Sequence, residues 1–286
     1  MMMNIQILTD GGADLTSSLK EQYEVKMIPL HIQIGNEQYR PGVDLDLPDF
    51  FKKMEETDEL PKTSAPGPQA FYEAYKRIPA DKPILMLSLS KGLSATYQNA
   101  VIGKQMLLEE EPNRQIEVLN TKTATSGIAL LVKEAGEKIT EGLTFSELVT
   151  HMKEKIEKTT TLFILKNLEN LVKGGRIDRV KGAIAKTLNI KLLMNASKEG
   201  TIEVSEKVRG DKKSIRRFIE QIGEYARHFE NKTISMSHCR APERAQSILT
   251  KIKEKYPFND SMMVEMGPLI ATYAAEGGIV IAFFKD

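Results

Sequence analysis

Residues 84–119 read ILMLSLSKGLSATYQNAVIGKQMLLEEEPNRQIEVL, and this stretch decides the fold class. Ile84–Ser88 is an apolar run of strand length. A Ser/Gly loop follows it, then a helical pattern from about Ala95 to Glu110, then a second strand, Ile116–Leu119. Short strands alternating with helices are the signature of a parallel sheet with covering helices.

The alternation continues in both directions. Upstream, Ile5–Leu8 reads as a strand, followed by a Gly-rich turn and a helix near Leu15–Glu21. Val25–Ile34 reads as one apolar, β-branched strand closed by a Gly35-Asn36 turn. Asp46 caps a helix with Pro48 in its first turn, and Pro66 and Pro68 stiffen the Thr63-Ser64 loop before a helix around Gln69–Arg77. Downstream, Thr121–Ser126 leads into a helix from Gly127, and Thr144-x-x-Glu147 is a capping box opening a helix that runs to about Lys158.

Thr159-Thr160-Thr161 ends that helix, and the domain change is placed there. An N-terminal parallel-sheet α/β domain over 1–158 and a C-terminal α/β domain over 159–286 are expected. In the second, Leu162–Leu165, Ile190–Met194, Thr201–Val208, Thr233–Met236, Met263–Glu265 and Ile279–Phe284 read as strands. Leu168–Val172, Val180–Thr187, Asp211–His228 and Ala241–Lys255 read as helices.

Composition narrows the function. Forty basic residues stand against thirty-nine acidic ones in 286, a formal charge of +1. That balance lacks the basic stripe a phosphate backbone requires, so no nucleic acid is expected. The single cysteine, Cys239, cannot form an intramolecular disulfide and fits a reducing compartment. Met1–Thr9 lacks a basic leader region, and the longest apolar stretch, Ile279–Phe284, is far too short to cross a bilayer, so a cytoplasmic location is expected. Of four histidines, His151 and His228 lie in charged helical surroundings and read as solvated, while His238, beside Cys239, reads either as a capped or polar strand end or as lining a site. No Cys or His pair has a metal-ligand spacing, and Lys173-Gly174-Gly175-Arg176 is not a phosphate-binding P-loop, so no metal or cofactor is expected. Its glycines read as a helix stop, leaving Arg176 to face either a ligand head group or a carboxylate of the other domain.

In open parallel sheets, ligands bind outside the carboxyl ends of the strands. The loops at those ends are Thr9-Asp10-Gly11-Gly12, Ser88–Ser94 and Thr121–Ser126, with Thr63-Ser64 nearby. They are rich in hydroxyls and glycine, and Asp10 is their one obvious acid or base. Hydroxyls and backbone N–H groups at helix N-termini suit an anionic head group, although the same residues serve as plain helix caps. Gly92-Leu93-Ser94-Ala95-Thr96 also loosely matches a nucleophile elbow. Ser94 therefore has three readings: ligand hydroxyl, cap, or nucleophile of a serine hydrolase acting on lipid or ester substrates. Lys207, Arg209, Lys212, Lys213, Arg216 and Arg217 form the densest basic cluster, either a solvated helix start or a docking patch for an acidic partner.

Taken in order, several segments carry a family resemblance. They are Thr9-Asp10-Gly11-Gly12-Ala13-Asp14-Leu15, Gly42-Val43-Asp44, Lys62-Thr63-Ser64-Ala65-Pro66 and Gly92-Leu93-Ser94-Ala95-Thr96-Tyr97. Then come Leu168-Glu169-Asn170-Leu171-Val172-Lys173-Gly174-Gly175-Arg176-Ile177, Lys207-Val208-Arg209-Gly210 and Gly267-Pro268-Leu269-Ile270. Over essentially its whole length the chain resembles the DegV family of fatty-acid-binding proteins, the acyl-carrier subunits of the bacterial fatty-acid kinase. The resemblance implies two α/β domains with one long-chain fatty acid in a lipid tunnel. It implies a carboxylate held by Thr63 and Ser94, with Tyr273 and Arg176 as further contacts. It further implies a non-enzymatic carrier that presents its ligand to a kinase subunit, with transient membrane contact open to it, and the charge density around Arg209 and Lys213 makes that region the expected docking patch. Three departures stand out. Ala271-Thr272-Tyr273 replaces the usual Gly-Thr-His, Gly11 replaces a serine, and Ala65 and Ala95 replace Gln and Gly. Head-group binding or the handover is expected to be altered by them, and tail binding to survive.

Overall fold

The computed structural model describes residues 5–57, 59–177 and 190–286. Strands β1 (Gln6–Asp10), β2 (Lys26–Ile28), β3 (His31–Ile34), β4 (Glu37–Tyr39), β5 (Lys62–Ser64), β6 (Ile84–Ser88) and β7 (Ile116–Asn120) lie in the first half. Strands β8 (Thr159–Ile164), β9 (Ile190–Ala196), β10 (Ile202–Arg209), β11 (Thr233–His238), β12 (Asp260–Glu265) and β13 (Ile279–Phe284) lie in the second. The architecture is mixed α/β.

The first sheet is four-stranded and wholly parallel, in the order β2-β1-β6-β7. Every residue of β1 and β6 is buried, which is why β6 reads as a nearly unbroken apolar run, whereas β1 buries Gln6, Thr9 and Asp10 beside Ile7 and Leu8. On one face Leu8, Met86 and Val118 pack beneath Phe71 and Tyr75 of helix Pro68–Lys76 and Ala100 and Leu107 of helix Thr96–Glu110. On the other, Ile7, Leu85 and Leu87 meet helix Ser126–Thr140.

The second sheet is six-stranded, in the order β10-β9-β8-β13-β11-β12, with only the β11–β12 pair parallel. One face buries Leu162, Ile164, Met236 and Ile281 beneath helices Asp211–Glu220 and Pro242–Lys255. On the opposite face, Ala282 and Phe284 share a core with helix Ser126–Thr140. That helix therefore lies between the two sheets, and its run Ser126–Val132 is buried all round, as its near-continuous apolar sequence requires. A third sheet, β4-β3-β5, sets Ile32 and Ile34 in one cluster with Phe163, Leu165 and Met194 of the C-terminal half.

Several sequence expectations change. Val25–Ile34 is not one strand. It breaks at Pro29, where the missing N–H ends the ladder, and its halves pair in different sheets. The Thr63-Ser64 segment is a short edge strand, β5, rather than a loop. Helix 211–228 is two helices, Asp211–Glu220 and Ile222–Tyr225, ending where Ala226 becomes extended (φ −142°). His151 is not simply solvated, because its Nε2 lies 2.6 Å from Glu134 Oε1. The Gly35-Asn36 hairpin turn, the Asp46 cap and the Thr144/Glu147 capping box all form. The helix expected over Val180–Thr187 lies outside the described residues. Among the described residues no helix is long and apolar enough to cross a membrane, and no His, Cys, Asp and Glu cluster could hold a metal ion.

Candidate ligand-binding site

A cavity opens between the carboxyl ends of the parallel strands and the Phe163–Val280 face of the six-stranded sheet. Its space, open mouth included, is about 950 Å³. Most of its wall is aliphatic. Thr63, Ser94, Tyr273 and Arg176 all line it, although they come from four separate segments.

Local chemistry explains each placement. Thr63 is held by β5, which pairs Ile32 with Thr63 along β3. Ser94 follows a tight loop in which the N–H groups of Leu93 and Ser94 both donate to Ser90 O. Ser90 Oγ in turn donates to Gly200 O (2.7 Å), fastening this loop to the β9–β10 turn of the other sheet. Arg176 emerges where helix Glu169–Lys173 stops, because Gly175 takes a left-handed backbone (φ +70°) and reverses the chain. Tyr273 projects from helix Pro268–Ala274.

These groups touch. The hydroxyls of Thr63 and Tyr273 are 2.5 Å apart across 210 positions of sequence. The Arg176 guanidinium lies 5.0 Å from the centre of the Tyr273 ring, a cation–π contact, and donates to Gly174 O (2.6 Å). Asn170 Nδ2 donates to Thr272 O (2.8 Å), locking the helix before Arg176 to the helix bearing Tyr273. Ser94 Oγ pairs with Thr96 Oγ1 (2.8 Å) and accepts from Thr96 N–H (3.3 Å). Among the described residues the lining carries two cations, Lys122 and Arg176, and no carboxylate. The cavity thus presents the paired Thr63 and Tyr273 hydroxyls beside a guanidinium, with further hydroxyls and Lys122 elsewhere in a wall that is mostly hydrocarbon. This arrangement can orient an anionic head group on a long apolar body.

Asp10 does not face the cavity. It is buried and accepts from Gly12 N–H, Leu89 N–H and Ser88 Oγ, each at 2.9 Å, which ties together the loops after β1 and β6. Burial pushes its pKa up to about 6 against those hydrogen bonds. The geometry does not support the serine-hydrolase reading of Ser94. Among the described residues no histidine lines the cavity, and the Ser94 hydroxyl is engaged by Thr96 rather than by a base. His238 is buried at the end of β11, where desolvation lowers its pKa.

Two polar contacts escaped the sequence reading. Thr161, taken as part of a helix end, lies on β8 with its Oγ1 2.7 Å from Thr123 Oγ1, and both side chains line the cavity. The alternation of Thr159, Thr161, Phe163 and Leu165 on one face of a strand was the available signal. Asp14 accepts from Thr125 Oγ1 (2.5 Å) and Gly267 N–H (2.8 Å), and burial pushes it up to about 6 as well. Nothing local in the sequence links those three positions.

Known proteins share this fold. A DegV domain-containing protein of Streptococcus pyogenes serotype M3 is 32% identical over 283 residues, 98% of this chain and 99% of the relative. A DegV-family crystal structure from Ruminococcus gnavus, refined with vaccenic acid, superposes with a TM-score of 0.92 at 30% identity, covering 98% of this chain and 99% of that one. The Streptococcus pneumoniae fatty acid kinase B3 protein loaded with linoleic acid superposes with a TM-score of 0.88 at 27% identity, with the same coverage. The family model described as "Uncharacterised protein, DegV family" matches residues 4–286, and the chain belongs to the DegV family.

Proposed function

We propose that this chain binds one long-chain fatty acid without covalent attachment and presents its carboxylate to a separate kinase for acyl-phosphate formation, catalysing nothing itself. The observation that carries the reading is the contact between the Thr63 and Tyr273 hydroxyls, with Arg176 against the Tyr273 ring, in a largely apolar cavity that Ser94 also lines. Structural relatives loaded with vaccenic and linoleic acid support the ligand class, and the fatty acid kinase B3 relative supports a kinase partner.

In this reading the tail lies against Phe163, Leu165, Val280 and Leu269, and the carboxylate exchanges into the hydroxyl cluster. Each buried methylene contributes about 0.8 kcal/mol, so the tail supplies most of the affinity and the rim supplies orientation. Residues 1–158 carry the head-group segments with Thr63 and Ser94, and 159–286 contribute tunnel walls together with Tyr273 and Arg176. The exposed Arg209 and Lys213 at the start of helix Asp211–Glu220 are the proposed contact for the kinase. Arg217 is excluded from that role, because Glu206, Glu220 and Glu224 already neutralise it.

The test is mass spectrometry of lipids extracted from the natively folded protein. About one fatty acid per chain is expected. No acyl ligand, even after incubation with C14–C18 acids, would overturn the proposal.

A further inference from the structure

Asp14 does not line the cavity, yet it joins elements that build it. The side chain sits between β1 and the first helix and is only 6% exposed. Its Oδ1 accepts from the N–H of Gly267, the N-cap of helix Pro268–Ala274. Gly267 has no side chain with which to close that helix end, so a carboxylate 253 positions away takes the part that a capping-box glutamate plays locally. The approach is close: a Cβ on Gly267 would lie 2.9 Å from Asp14 Oδ1. From this helix Leu269, Ile270, Tyr273 and Ala274 all reach the cavity wall.

The other oxygen, Oδ2, accepts from Thr125 Oγ1, and Ser237 Oγ lies 2.8 Å from the same hydroxyl. Thr125 also lines the cavity and holds a positive φ of 50°, a conformation that a threonine keeps only when its surroundings over-determine it. One carboxylate thus sets two walls of the cavity against each other: the turn into helix Ser126–Thr140 and the helix bearing Tyr273.

We infer that Asp14 is a positioning residue for the head-group rim. Its carboxylate holds helix Pro268–Ala274 at the height where the Tyr273 hydroxyl meets Thr63, and it acts on the ligand only through that helix. The inference rests on the fatty-acid reading above, and its test separates the two.

Palmitate and 1-hexadecanol, which share a tail and differ in head-group charge, are titrated by displacement of a fluorescent fatty acid. The proteins are the parent, Asp14→Ala, Tyr273→Phe and the double variant. Asp14→Ala should weaken palmitate about tenfold and hexadecanol by less than about twofold. The double variant should bind palmitate no more weakly than Asp14→Ala alone, because both changes remove the same contact. Gly267→Ala, which pushes the carboxylate away, should reproduce the Asp14→Ala pattern. If Asp14→Ala does not fold, Asp14→Asn takes its place, with an intermediate loss expected because an amide retains one acceptor oxygen. Equal losses for the two ligands, or additive losses in the double variant, would overturn the inference and leave the ligand class intact. Failure of the parent to bind palmitate would instead overturn the fatty-acid reading itself.

Discussion

Replacing Thr63 and Ser94 together by alanine should weaken a C16 fatty acid about a hundredfold without abolishing its binding. A hydrogen bond to a charged group contributes roughly 1.5–3 kcal/mol net. The lower end applies here, because Thr63 already bonds Tyr273 and Ser94 already bonds Thr96, so the ligand exchanges partners rather than filling empty ones. Two such losses come to about 3 kcal/mol, or roughly two decades in Kd. The tail offers about 0.8 kcal/mol for each buried methylene, so it still holds the ligand in place. On the same scale, shortening palmitate to laurate removes four methylenes and about 3 kcal/mol. Laurate on the parent protein should therefore bind about as weakly as palmitate on the double variant. Displacement of a fluorescent fatty acid measures both in one titration series. If the double variant stays within about twofold of the parent, the carboxylate is not at these hydroxyls, and if laurate matches palmitate, the tail is not in this cavity.

Three further outcomes are expected. Gly136→Ala puts a Cβ 2.4 Å from the Tyr23 ring, on a helix that cannot retreat between two sheets. The denaturant midpoint should correspond to a loss of about 1–3 kcal/mol, and an unchanged midpoint would mean that Tyr23 swings clear. Asp10 has its pKa raised by burial from an ordinary 3.8 to about 6, so its contribution to stability is fully present below 3.8 and lost as pH rises through 6. Asp10→Asn removes that dependence. The stability advantage of the parent over the variant should shrink by on the order of 3 kcal/mol between pH 3.5 and pH 7, and a pH-independent difference in urea melts would contradict the assignment. Charge reversal at Arg209 and Lys213 should leave palmitate affinity unchanged and lower the rate of kinase-dependent phosphorylation, whereas an unaffected rate would remove both residues from the docking surface.

The deeply buried elements were the legible ones. Ile84–Ser88 and the helix after it are recognisable because parallel strands covered on both faces need apolar residues throughout, and the covering helix keeps its own period. Capping is equally local: Asp46 and the Thr144/Glu147 box form within three residues of sequence, so the pattern carries the contact. The hydroxyl-rich loop after β6 pointed to Ser94 for the same reason, whereas Thr63, expected on a loop, lies on the edge strand β5.

Where a segment's partner is distant, the sequence was mute. Val25–Ile34 is apolar throughout, and nothing local states that Lys26–Ile28 joins one sheet while His31–Ile34 joins another. Thr161 reads as the end of a helix until β13 pairs with β8 and turns its hydroxyl toward Thr123.

By itself, then, the sequence determined a parallel α/β core, the helix ends, and the hydroxyl character of the loops, because each depends on periodicity or on neighbours a few residues away. Tertiary structure alone decided that Thr63 meets Tyr273 across 210 positions, that Arg176 stacks on that ring, and that Asp14 closes the helix bearing it. Those contacts join segments far apart in sequence, and packing between distant segments leaves no period in a single chain for a reader to find.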